Sequence, residues 1–213
     1  MPSPARRSFL ASLAALSLSR LALPRSLSAG DRLTDGPWDV SWLDQLTGDH
    51  KQVFDLSAME IPLYVVTNYL DGHEEVFGLK PPRVNAVVGI AGSAFPINAG
   101  DALWTKYELG RRWNVKDPRT GNVAQRNVFL DDMPAPPGKK VGVKPLQARG
   151  AIFWQCNNAL NKIVRDLATD MKLDPKDVRA ELVAGLNPGV KLVPAHTMFI
   201  GLAQERGCTY EKL

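Results

Sequence analysis

The residues best suited to chemistry in this chain are Cys156 and His196. Cys156 stands directly after the apolar run AIFWQ at 151–155. It directly precedes residues 157–171, where Leu160, Ile163, Val164 and Leu167 recur at helical spacing. A thiol at a strand-to-helix junction meets unpaired backbone N–H groups and the positive end of the helix dipole. Both favour the thiolate, the form that attacks sulfur and binds metals. Asn157 and Asn158 can add hydrogen bonds to the sulfur anion. Apolar burial beside Phe153 and Trp154 works the other way; a thiol held wholly among them is an inert core residue. His196 has the matching place after VKLVP at 190–194. It is a candidate base or hydrogen-bond partner for Cys156 if the two strands are neighbours, and a capping residue if they are not.

The elements that must position these two residues alternate. Strands are predicted at 50–55, 84–91, 151–155, 190–194 and, briefly, 208–211. Helices are predicted at 61–77, 98–110, 157–171 and 196–206, with a helical turn at 143–149. Asp174-Pro175, an N-cap followed by proline at the first helical position, opens a further helix to residue 186. The near-continuous apolar run VNAVVGIA at 84–91 suits a strand buried on both faces. Such alternation implies a doubly wound α/β domain, with a mostly parallel sheet and helices on both faces. In these sheets ligands bind in the crevice beyond the carboxyl ends of the strands. The residues to expect there are Asp55 and Ser57, Gly92 and Ser93, Cys156, Asn157 and Asn158, and His196 and Thr197. Residues 117–144, rich in Pro, Gly and charge, read as one long surface loop that could close over the crevice. Cys208 is expected at the opposite rim of the sheet, too far from Cys156 for a disulfide. His50 starts a strand at that same rim, and His73 reads as a surface residue within a helix.

The N-terminus carries a different signal. Arg6-Arg7-Ser8-Phe9-Leu10 opens a short apolar run to Leu18, and Arg20 and Arg25 follow. A basic pair before a short apolar stretch is a secretory leader, and its twin-arginine form is read by the Tat export pathway. The run is shorter than the ~20 residues a membrane helix needs. Residues 1–30 are therefore expected to be a cleavable leader read by the Tat translocon. Residues 31–213 are expected to be one domain working in the periplasm, with no membrane span.

Charge follows the same division. Of 26 basic residues, Arg6, Arg7, Arg20 and Arg25 lie in the first 30, which hold no acid; 22 basic residues remain against 22 acidic ones. A neutral domain offers no electrostatic footprint for nucleic acid. Two cysteines are too few for a disulfide scaffold. There is no CxxC, HExxH or Walker-type loop, and His50, His73 and His196 have no ligand-pair spacing. No metal and no cofactor are expected.

Five stretches carry a family resemblance by their order and spacing. They are HKQVFD at 50–55, TNYLDG at 67–72, DALWTKYELG at 101–110, QARGAIFWQCNNAL at 147–160 and GLNPGVKLVPAHTMFIGLAQERGCTY at 185–210. Together they resemble the DsrE/DsrF-like sulfur-relay family, and within it the Tat-exported DsrE-like proteins. The resemblance implies a doubly wound fold assembled as a homo-oligomer, with a persulfide carried on Cys156. It also implies Asn68 packed near the same pocket, and a small sulfur compound or a partner thiol protein as the other reactant. The chain departs from the pattern in two ways. The relay members act in the cytoplasm, and the strand end GIAGS at 89–93 lacks the histidine expected in exported relatives. A non-catalytic ligand-binding or oligomeric accessory protein of the same fold is the competing expectation.

Overall fold

The computed structural model describes residues 38–59, 63–131, 133, 135 and 137–213. The leader expected at residues 1–30 lies outside the described residues. Five strands form one all-parallel sheet: β1 (His50–Leu56), β2 (Val84–Ile90), β3 (Ile152–Cys156), β4 (Lys191–Val193) and β5 (Thr209–Lys212). Their spatial order is β4-β3-β2-β1-β5. The helices are α1 (Tyr64–Phe77), α2 (Asp101–Lys106), α3 (Leu109–Arg112), α4 (Val143–Ala148), α5 (Asn157–Met171), α6 (Pro175–Ala184) and α7 (His196–Glu205). Two 3₁₀ segments, Ser41–Gln45 and Gly92–Asn98, complete the described residues. The doubly wound α/β class is the one the alternation implies.

Period-two alternation divides the core between the two faces. Phe54, Leu56, Ala86, Val88, Ile90 and Phe153 pack with Val66 and Leu70 of α1 and Leu146 of α4. The alternate residues Val53, Val87, Trp154 and Val193 pack on the other face with Trp42, Leu43, Phe199 and Ala203. From β1 to β4 the chain steps across the sheet in one direction. After β4 it reverses, and α7 carries it back to β5 beyond β1. Right-handed crossovers put α7 on the face opposite α5 for this reason. The reversal falls between β3 and β4, whose following helices leave to opposite faces. This is the switch point where open α/β sheets leave a crevice.

The helix expected at 98–110 is divided. Glu108 adopts a left-handed backbone, φ 49°, between α2 and α3. The break seats Gly110 against the following segment: a Cβ there would lie 1.9 Å from the Ala124 carbonyl oxygen. Among its described residues the long connection has no helix or strand before α4, but it is more than a surface excursion. Val128 and Val141 are buried, and Asn127 Nδ2 donates to the Ile97 and Ala99 carbonyls at 2.9 and 2.8 Å. Its prolines remove the repeating backbone ladder, and side chains of the neighbouring segment satisfy groups that a helix would have paired. The cap expected at Asp174 is formed, its Oδ1 accepting from the Lys176 N–H at 2.7 Å.

Candidate functional site

Three buried side chains, Asp55, Trp154 and His196, meet over Gly89 on the α7 face of the sheet. The register places Asp55, Gly89 and Trp154 in one row across β1, β2 and β3. All three face α7, two residues on from Val53 and Val87 and alongside the core residue Trp154. The first residue of α7, His196, lays its ring over Gly89 between the other two. Trp154 Nε1 donates to His196 Nδ1 at 3.1 Å, and His196 Nε2 lies 2.7 Å from Asp55 Oδ1. An indole nitrogen only donates, so Nδ1 accepts, and the proton of the neutral ring sits on Nε2 and is donated to Asp55. The His196 and Asp55 side chains are 9% and 8% exposed.

Asp55 also ties in the last strand. Tyr210 Oη donates to Asp55 Oδ2 at 2.8 Å, and Lys212 Nζ lies 3.2 Å from the same oxygen. Burial raises the Asp55 carboxyl pKa, but the hydrogen bonds from Tyr210 and His196, the nearby His196 ring and Lys212 together outweigh it. The net effect holds the group below the ordinary carboxylate value.

Cys156 closes β3 on the same face as Trp154 and is 4% exposed. Its Sγ accepts the main-chain N–H of His196 at 3.3 Å. That N–H is one of the unpaired donors at the start of α7, while Cys156 itself is the N-cap residue of α5. The start of α7 thus supplies a backbone donor to the sulfur, while the Cys156 side chain makes no capping hydrogen bond to α5. The expected partnership of His196 with Cys156 runs through the backbone. The imidazole nitrogens are committed to Asp55 and Trp154, so the ring is held in place and not turned toward the thiol.

The other sequence-predicted residues scatter around this centre. Asn157 is buried at the first position of α5, and its Oδ1 has no hydrogen-bond partner among the described residues. Asn158 and Thr197 are exposed on the first turns of α5 and α7. Ser93 is exposed after β2; its Oγ donates to the Ser57 carbonyl at 3.3 Å, and its own carbonyl accepts from Trp113 Nε1 at 2.7 Å. Asn68 lies on the exposed side of α1, where Lys139 Nζ approaches its Oδ1 at 3.4 Å and Asp71 Oδ2 at 2.7 Å. That groups it with Lys139 and Asp71 and not with Cys156. Cys208 precedes β5, which runs parallel to β1, so it enters at the amino rim while Cys156 closes β3 at the carboxyl rim. Both thiols are free, and burial pushes the Cys208 thiol up against a weaker opposing effect of Lys51.

Sequence reasoning passed over Gly89, Trp154, Tyr210 and Lys212. Gly89 carried a signal, because a lone glycine in a strand of apolar residues marks a close approach. It also missed the close approach of His50 and His73 at the amino rim, where their tilted rings lie 4.4 Å apart between centroids beside Phe77. Burial and the adjacent His50 depress the His73 pKa. Among the described residues no cluster of three or more His, Cys, Asp or Glu is arranged to hold a metal ion. No helix among them is long and apolar enough to cross a membrane. No family model, no curated protein and no solved structure matches this chain.

Proposed function

We propose that this chain is a DsrE-like protein that carries sulfur, or exchanges thiols, at Cys156, and that it does so after export on its twin-arginine leader. The observation that carries the reading is the main-chain N–H of His196 directed at Cys156 Sγ where two helices begin. A backbone donor fixed in this way steadies an anionic sulfur before and after reaction without reorganising. In the sulfur-carrying step the Cys156 thiolate attacks the outer sulfur of a persulfide donor. The donor's S–S bond breaks, the donor leaves as a thiolate, and Cys156 holds the new persulfide with no net oxidation. Attack by an acceptor thiolate on the outer sulfur regenerates Cys156. With a disulfide as substrate, the same attack yields a mixed disulfide and releases one thiolate.

Intact-mass analysis after incubation with a low-molecular-weight persulfide tests this. The expected product is a gain of about 32 Da, one sulfur atom, that dithiothreitol removes and that Cys156→Ser abolishes while Cys208→Ser retains it. No adduct on the folded wild type, together with no labelling of Cys156 by a small alkylating reagent, would defeat the thiol reading and leave the competing binding protein.

The export reading rests on Arg6-Arg7 and the apolar run behind it. The double variant Arg6→Lys, Arg7→Lys is expected to leave precursor in the cytoplasm, because lysine keeps the charge but lacks the planar guanidinium. Normal periplasmic accumulation of that variant would overturn it.

A further inference from the structure

A second site lies on the α5 face of the carboxyl rim and shares no lining residue with Cys156 or His196. A half-open cavity of about 410 Å³ runs between α5 and the turn after α3. This falls within the range of small-molecule pockets, roughly 300–1,000 Å³. Ala159, Ile163 and Leu167 form one stripe of α5 along its wall, and Trp113 forms the facing wall. The Trp113 indole is pinned, its Nε1 donating to the Ser93 carbonyl at 2.7 Å, so the apolar slot is preformed.

The polar lining holds two cations, Arg112 and Lys162, and the carboxylate of Asp166. Lys162 and Asp166 pair with each other at 2.7 Å. Arg112 is different: its side chain is 20% exposed, its Nε donates to the Tyr107 carbonyl and its Nη1 to Asp170, an outlying residue. Among the described residues Nη2 has no hydrogen-bond partner. Its N–H groups, at the lip of an apolar slot, match a carboxylate oxygen.

We propose that this cavity binds a small monocarboxylate with a flat apolar body. The body lies between Trp113 and the Ile163–Leu167 stripe, and the carboxylate meets Arg112. The site stands independently of the thiol reading, because binding here needs no sulfur chemistry.

Isothermal titration of the folded full-length domain with 2-naphthoate, and with 2-naphthamide as its uncharged analogue, tests the proposal. The expected result is saturable one-site binding of the acid with Kd below about 1 mM, and binding of the amide at least tenfold weaker. Ala159→Phe, which fills the slot, and Arg112→Gln, which removes the cation, should each weaken the acid at least about tenfold with an unchanged far-ultraviolet spectrum. Absence of saturable binding to the wild type, equal affinity for acid and amide, or undiminished binding to Ala159→Phe would overturn it. The acid-to-amide comparison uses the wild type alone and decides the matter even if a variant fails to fold.

Discussion

Gly89→Ala is expected to be among the most damaging single-methyl additions in the chain, lowering stability by about 3 kcal/mol or more in urea unfolding. A Cβ at this position would lie 2.4 and 2.6 Å from ring carbons of Trp154 and 2.9 Å from Cε1 of His196. Neither ring has room to retreat. Trp154 is fully buried against Trp42 and Phe199, and its indole N–H is bonded to His196. His196 is held in turn by Asp55. Relief therefore requires breaking a buried hydrogen bond or moving β2. Gly72→Ala supplies the contrast. Gly72 lies within α1 with no heavy atom within 4 Å of a built Cβ, so alanine should raise stability by about 0.5–1 kcal/mol through helix propensity alone. A Gly89→Ala protein as stable as the wild type would mean that the Trp154 and His196 rings do not lie over Gly89.

The second large effect is expected at Asp55. Removing its carboxylate with Asp55→Ala strips acceptors from His196 Nε2 and Tyr210 Oη, and from Lys212 at the surface. The His196 Nε2–H is left as a buried donor without its acceptor, which costs about 1–3 kcal/mol. The pH dependence gives the effect a signature. The folded-state pKa of Asp55 is held below its ordinary value, near 3.9, so the unfolded chain binds more protons between the two. The stabilisation is therefore complete above the ordinary value and is lost as pH falls through the lower folded value. The gap between wild type and Asp55→Ala, measured by urea unfolding, should be largest at neutral pH and shrink toward pH ~3. A gap that stays constant to that pH would show that Asp55 contributes by packing and not as a carboxylate.

The same network bears on the proposed chemistry. The His196 ring is locked by partners on β1 and β3, so its main-chain N–H is locked at Cys156 Sγ. On the proposed reading, Asp55 and Trp154 are positioning residues for Cys156 that act through His196.

How much of this was legible in the chain depends on the range of the forces involved. Near-continuous apolar runs such as VNAVVGI and the helical spacing of residues 157–171 express burial patterns set by neighbours in sequence. From them the strands, the major helices, the α/β class and the junction position of Cys156 can be read directly. The Asp174-Pro175 helix start is equally local, since an N-cap acts within its own turn. The break at Glu108 and the packing of the 117–144 connection were not legible, because each is decided by a segment met only after the sheet assembles. The site itself divides in the same way. Sequence placed Cys156 and His196 after strands, but strand order alone makes β3 and β4 neighbours and sends α5 and α7 to opposite faces. Only that juxtaposition turns the His196 main chain toward the sulfur and its ring toward Asp55, 141 residues away in the chain. A hydrogen bond requires its partners within about 3 Å, and no periodicity in a sequence encodes which distant residues the folded backbone will bring that close.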